Sequence, residues 1–162
     1  MIRPRGADAR GQVALYAVLL FPILMLVFAL VLAVGTLEGT RARTRAQLDM
    51  AALTATQALD FAALTEGQRP QLVAAEADRL AREYLVRNLA TLDLPVSTAS
   101  IAAAAEVNVM APGERDPISG EVVSIPTVSI RATVPARVPL LSMVGLGPIA
   151  NVTVSGSAAA RT

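Results

Sequence analysis

The stretch of sequence that decides the fold runs from Val13 to Val34 and reads VALYAVLLFPILMLVFALVLAV. No charged residue lies between Arg10 and Glu38. An apolar helix of about 20 residues, rising about 1.5 Å per residue, spans the roughly 30 Å hydrocarbon core of a bilayer. The sequence therefore predicts a single transmembrane helix over residues 13–35, with a modest domain on one side of the membrane.

The predicted anchor is bounded by Val13 and Val34 and has two further features. Tyr16 lies near one membrane interface, where an aromatic ring with a polar tip is favoured. Pro22 lies about a third of the way along the span, and the backbone hydrogen bond that it removes can be compensated in a membrane helix.

Charge counts on the two sides of the anchor do not decide its orientation. The flanking basic residues are Arg3, Arg5 and Arg10 on one side and Arg41, Arg43 and Arg45 on the other. A long C-terminal part is translocated largely regardless of its charge, and the first charge after the span is the acid Glu38. We therefore predict that residues 1–12 are a cytoplasmic tail and that the C-terminal part lies outside the cytoplasm.

A cleaved signal peptide is the alternative to an anchor, and it would make the chain an exported soluble protein. The segment Val31-Leu32-Ala33 offers small residues for a signal peptidase. The apolar region is longer than the roughly 7–15 residues of a signal peptide, which favours an uncleaved anchor.

The composition of the chain excludes several functions. The 162 residues leave room for one small domain after the anchor, and the net charge of +1 is too small to indicate a nucleic acid partner. The absence of Cys and His removes disulfides, thiolate metal sites and the commonest general base. We predict a protein that is not an enzyme and has no cofactor and no metal. Glu114 and Asp116 share a loop and could in principle ligate calcium, but two acids between prolines are more typical of a solvated turn.

After the span, residues 36–66 are predicted to continue the helix, with Gly35 and Gly39 as a flexible joint. Small and apolar residues recur there at spacings of 4, 3, 4 and 3, which is a helical stripe. Its members are Leu48, Ala52, Ala55, Leu59 and Ala62. We interpret the stripe as a docking surface for a partner; packing on the protein's own sheet is the alternative.

A second amphipathic helix is predicted over residues 70–91, ending an extramembrane helical region at residues 36–95. Its apolar face consists of Val73, Ala77, Leu80 and Tyr84, and its ion pairs at i,i+4 are Asp78–Arg82 and Glu83–Arg87.

Residues 96–162 are predicted to form a small antiparallel β domain. Alternation predicts strands within 101–110, 128–134 (ended by Pro135) and 151–155, with an apolar crossover at Leu140–Pro148. The predicted fold class is α+β: a long transmembrane helix extended by an amphipathic helix, a second helix, and an antiparallel sheet of three or four strands in a pilin-like layout.

Three features together resemble the TadE/TadG-like proteins of tight-adherence (Flp-type) pilus assembly. They are Arg10-Gly11-Gln12 before the apolar span, Pro22 within it, and the segment from Ala46 to Leu53 (AQLDMAAL) after it. The resemblance implies a bacterial cytoplasmic membrane protein that acts in pilus assembly or as a minor subunit. Its implied partners are pilin-like subunits or assembly platform proteins, in an oligomer or multi-protein complex.

One departure from the family pattern concerns processing. TadE-type members carry a Glu near the start of the apolar helix, and Tyr16 stands at that place here. The chain is therefore more similar to the uncleaved TadG-like type than to a processed pilin. A membrane-tethered module that binds or senses a ligand is a further alternative, and it would need a large apolar pocket with convergent polar groups.

Overall fold

The computed structural model describes residues 6–65, 70–138 and 147–160, which fold into four helices and three strands. The helices are α1 (Gly6–Ala55), α2 (Phe61–Thr65), α3 (Ala74–Leu89) and α4 (Thr98–Ala104). The strands are β1 (Glu106–Met110), β2 (Thr127–Arg137) and β3 (Ile149–Ala159). The fold is α+β, as predicted. Glu66-Gly67 and most of the predicted crossover Leu140–Pro148 lie outside the described residues.

Helix α1 is continuous over 50 residues, or roughly 75 Å. It contains Pro22 and runs through Gly35 and Gly39 without a break, so the joint predicted at these glycines is helical. Residues 6–12, predicted as part of a tail, already belong to the helix.

Helix α1 ends at Ala55, about ten residues before the end that its composition predicts. The chain turns back after it, and Leu59 forms an isolated antiparallel bridge with Leu72. Two backbone hydrogen bonds hold this turn: Asp60 N donates to Gln71 O at 2.9 Å, and Val73 N donates to Ala58 O at 2.8 Å. Long-range pairing therefore ends a helix that local propensity alone would have continued.

Helix α3 packs along α1, and its buried face differs from the predicted one. The fully buried residues follow an i,i+4 row: Ala77, Ala81, Leu85 and Leu89. Leu80 and Tyr84 are only partly buried, and Val73 is exposed at the N-cap position before the helix. The predicted pairs Asp78–Arg82 and Glu83–Arg87 are both present.

The three strands form one antiparallel sheet in the order β1-β2-β3. Alternate residues of β2, among them Val128, Ile130 and Val134, are fully buried on the face that α1 and α3 cover. The core joins these residues to Leu48 of α1 and Leu85 of α3, so the two sides of the predicted boundary at residue 96 share one core.

The segment before β1 is the helix α4, so the strand that alternation predicts within residues 101–110 begins only at Glu106. Ser97 caps α4 by accepting a hydrogen bond from Ser100 N at 3.2 Å, as expected for a serine at this position. Ile101 is buried on α4, and the strand itself is limited to residues 106–110.

Pro135 lies inside β2 and does not end it, contrary to prediction. It pairs in register with Asn151 of β3, while β1 reaches only as far as Arg131. The bond from Val138 N to Pro148 O shows that the even-numbered residues of β2 hydrogen-bond to β3, so the nitrogen of Pro135 faces the open side. A proline is tolerated there because no ladder hydrogen bond is lost.

Candidate functional site

From Val13 to Leu32, helix α1 is apolar, and its large side chains are exposed all around it. Val18 is 71% exposed, Leu24 63% and Leu32 44%. By length and composition this is a helix that can cross a membrane, and an N-terminal signal sequence would share these properties. The predicted anchor residues Val13, Tyr16, Pro22 and Val34 all lie on this exposed part of the helix. So much apolar surface is unfavourable in water and calls for a lipid or protein cover.

The predicted docking stripe does not form one surface. Leu48, Ala52 and Ala55 are fully buried within the protein's own core. Leu59 follows the helix in the bridged turn, and Ala62 is exposed on α2. The docking interpretation is therefore wrong for the three helical residues, since the protein's own sheet and α3 already cover them.

Asp49 and Gly156 form the contact between α1 and β3. The Asp49 carboxylate accepts a hydrogen bond from Ser157 N at 3.1 Å. A Cβ on Gly156 would lie 2.8 Å from the Asp49 backbone nitrogen and 2.9 Å from the Cβ of Leu48. Sequence reasoning missed this pair; an acid beside the buried Leu48 and a glycine inside an alternating strand were the available signals.

The outer edge of β3 forms no ladder with a described strand between residues 151 and 155, and helix α1 flanks its beginning across a shallow groove. Ser157 N points away from β2 towards Asp49, whereas Ala160 N donates to Pro126 O on the β2 side. Along a strand, successive residues direct their backbone N–H and C=O groups to opposite sides. The backbone groups of Asn151, Thr153 and Ser155 therefore also face away from β2. Their side chains are exposed, and no described strand pairs with this edge.

Arg82 of α3 is a second residue whose role was not predicted beyond its pairing with Asp78. Its guanidinium donates to three carbonyl oxygens at the C-terminal end of α4: Ala102 at 2.8 Å, Ala103 at 3.2 Å and Ala105 at 3.3 Å. Carbonyls at a helix C-terminus carry partial negative charge, and of these three Ala102 O also accepts a backbone hydrogen bond from Ala105 N at 3.4 Å. Arg82 thus fastens α4 to α3.

The loop between β1 and β2 holds Asp116, which is only 4% exposed and not part of a solvated turn. Its carboxylate accepts hydrogen bonds from Ile118 N at 2.8 Å and Ser129 Oγ at 2.9 Å. Burial raises the pKa of this carboxyl, but the hydrogen bonds from Ile118, Ser119 and Ser129 outweigh it and hold the pKa below its usual value. Among the described residues, no group of three or more acidic side chains is placed to hold a metal ion.

An open groove of about 400 Å³ lies between the start of α3 and the end of β1. Its lining is Pro70, Gln71, Leu72, Ala74, Val109, Met110, Ala111, Pro112, Glu114 and Pro126. The Glu114 carboxylate already accepts a hydrogen bond from Ala111 N at 2.8 Å. Gln71 is the only other polar side chain among the described residues of the lining, so the groove does not have the set of convergent polar groups expected of a ligand-binding pocket.

In the described part of the chain, the surfaces suited to interaction are thus the exposed apolar segment of α1 and the unpaired edge of β3. In comparisons with known proteins, no protein-family model, no curated protein and no solved structure gives a significant match to this chain.

Proposed function

We propose that the protein is a non-enzymatic, membrane-anchored assembly component or minor subunit of a tight-adherence (Flp-type) pilus. The observation that carries the proposal is that the two halves of α1 have different surroundings. The first half contains an exposed apolar span, and the second half packs into the core beneath a small antiparallel sheet. A helix that both anchors the chain and supports its folded domain is the layout expected of a pilin-like subunit, and it supports the proposal.

The family resemblance in the sequence supports the same proposal. The segment from Ala46 to Leu53 includes Leu48 and Ala52, which are fully buried against the sheet, and Asp49, which binds the backbone of β3. The residues that carry the resemblance therefore have a defined structural role in joining the anchor helix to the sheet.

The proposed location is the bacterial cytoplasmic membrane, with the N-terminus in the cytoplasm and the folded domain outside. The proposed partners are pilin-like subunits or assembly platform proteins. The unpaired edge of β3 from Asn151 to Ser155 is the surface offered to them in the folded domain, since an exposed edge presents free backbone donors and acceptors.

Site-specific photo-crosslinking in the native host tests the proposed partners. A photoreactive amino acid is placed at Thr153 on the β3 edge and, as the control, at Val122 in the exposed loop between β1 and β2. We expect adducts with pilus subunits or platform proteins from position 153 and none from position 122. Normal surface pili after deletion of the gene, together with the absence of such adducts, would overturn the proposal.

The intact mass of the protein from host membranes tests the anchor itself. We expect the full-length mass in the membrane fraction. A soluble product that has lost the residues up to about Ala33 would identify an exported protein with a cleaved signal peptide, and the membrane-anchored function would be abandoned.

A further inference from the structure

Helix α1 and strand β3 run side by side in the same direction. Near the start of β3, a shallow groove is lined by Leu37, Glu38 and Arg41 on the helix and by residues 150–153 on the strand. Further along, Asp49 contacts Gly156 and Ser157. The beginning of β3 therefore points towards the apolar end of α1.

These two contacts give the level of the first residue of β3 along the helix. About two helix residues pass for each strand residue, as expected from rises of about 1.5 Å and 3.4 Å. Counting back along the strand from Gly156, which lies beside Asp49, places Ile149 roughly level with Ala33 to Gly35 on the helix. The end of the sheet thus lies beside the last turn of the apolar run.

The exposure of α1 gives an independent indication of the same placement. Ala33 is only 4% exposed, although its neighbours Leu32 and Val34 are 44% and 52% exposed. The covered face continues along the helix through Leu37, Thr40 and Thr44 to the core. The folded part of the chain therefore reaches back over the end of the apolar run, and no free stalk separates the two.

The exposed side chains at this end of the sheet suit a bilayer interface. Ile149 is 51% exposed, and its register partner on β2 is Arg137. The Arg137 side chain is 57% exposed and meets Asp93 only at 3.6 Å, in a pair that is itself exposed. An apolar side chain next to a long arginine is typical of interfacial segments, because the guanidinium can reach lipid phosphates while its stem stays in apolar surroundings.

We propose that the end of the sheet formed by Ile149, Ala150 and Arg137 is a lipid-contact surface. Ile149 enters the boundary between headgroups and acyl chains in the leaflet from which α1 emerges, and Arg137 contacts lipid phosphate. The protein then meets the bilayer at two points, which fixes the rotation of α1 about its own axis. This inference rests on the proposed membrane anchorage.

The chain contains no Trp, so a single introduced Trp reports on its own surroundings. Three full-length variants are reconstituted into phosphatidylcholine vesicles with brominated acyl chains, which quench Trp on contact. Ile149→Trp tests the surface, and Leu32→Trp reports on the anchor. Val122→Trp is the matched control, since Val122 is an exposed β-branched residue in the loop at the opposite end of the sheet. Far-UV circular dichroism checks that each variant is folded.

We expect at least a twofold loss of emission for Ile149→Trp and Leu32→Trp, and unchanged emission for Val122→Trp. Quenching of Leu32→Trp alone would overturn the lipid-contact surface and leave the anchorage intact. A blue-shifted but unquenched Ile149→Trp would also overturn it, because protein and not lipid would then cover the residue. The absence of quenching in all three variants would overturn the anchorage itself.

Discussion

Gly156 is the residue that allows α1 to lie close to β3. We expect Gly156→Ala to lower the free energy of unfolding by about 1–3 kcal/mol, because the new Cβ overlaps the backbone of Asp49 and the Cβ of Leu48 and forces the helix to move. Denaturant unfolding in detergent micelles measures the change. Gly39→Ala on α1 is the control: outside the adjacent backbone of its own helix, no atom lies within 4 Å of the new Cβ, and the substitution should stabilise by about 0.5–1 kcal/mol. Equal effects of the two substitutions would contradict the close approach.

Asp116 makes the stability of the fold depend on pH. Its pKa is lower in the folded chain than in the unfolded chain, so its contribution is complete above about pH 4 and is lost as the pH falls through the folded-state pKa. We expect Asp116→Asn to cost about 1–2 kcal/mol at pH 7, since charge-assisted hydrogen bonds to Ile118 and Ser129 become neutral ones.

The pH dependence of unfolding tests this role of Asp116. The difference between wild type and Asp116→Asn should shrink as the pH is lowered below about 4. Glu121→Gln, an exposed acid in the same loop, should leave the unfolding curve nearly unchanged at every pH. A difference for Asp116→Asn that stays constant down to pH 2 would show that the ionised carboxylate does not contribute.

At the scale of elements, the seven-residue helix α4 depends on Arg82 of the neighbouring helix. We expect Arg82→Met to increase hydrogen exchange of the α4 amides and to lower the free energy of unfolding by about 1–3 kcal/mol, because three C-terminal carbonyls lose a donor. Arg79→Met is the matched control on α3, since Arg79 contacts only the exposed Glu76 and Glu83. Unchanged exchange in α4 would show that its packing alone is sufficient.

The elements that could be predicted from the sequence are those with a strong local pattern. In the apolar run, in the amphipathic helix near Leu85 and in the alternating segment around Ile130, the pattern of neighbouring residues is enough to predict the secondary structure. The end of α1 at Ala55 was missed because it depends on the bridge between Leu59 and Leu72, which joins segments that sequence patterns do not connect. The prediction that Pro135 ends its strand was wrong because a proline is tolerated inside β2 only where β1 no longer pairs with it, and the sequence does not show where β1 ends.

At the scale of the whole molecule, the two predicted functional surfaces differ in how far the sequence alone can identify them. An apolar run of membrane-spanning length is recognisable from the sequence alone, and the structure adds that its side chains are exposed. A stripe such as Leu48, Ala52 and Ala55 looks the same in sequence whether a partner or the protein's own sheet covers it, and only the fold shows that the sheet does. The sequence marks Asp49 and Gly156 singly as an acid and a glycine in unusual places, but it does not show that they meet, since their contact joins residues more than a hundred positions apart.

The proposed division of α1 into a membrane-spanning half and a folded half predicts different responses to the same substitution. Leu24 and Leu26 are 63% and 54% exposed in the apolar run, and Met50 and Leu53 are 57% and 52% exposed beyond it. Each Arg near the centre of a span costs roughly 2.5–3.5 kcal/mol of insertion, whereas each apolar residue contributes only about 0.3–0.6 kcal/mol. Leu24→Arg with Leu26→Arg should therefore sharply reduce the fraction of protein that resists carbonate extraction from membranes. Met50→Arg with Leu53→Arg should leave it unchanged, because these positions face water on the same helix. If both pairs behaved alike, the apolar half of α1 would not lie in the bilayer, and a protein partner would have to cover it.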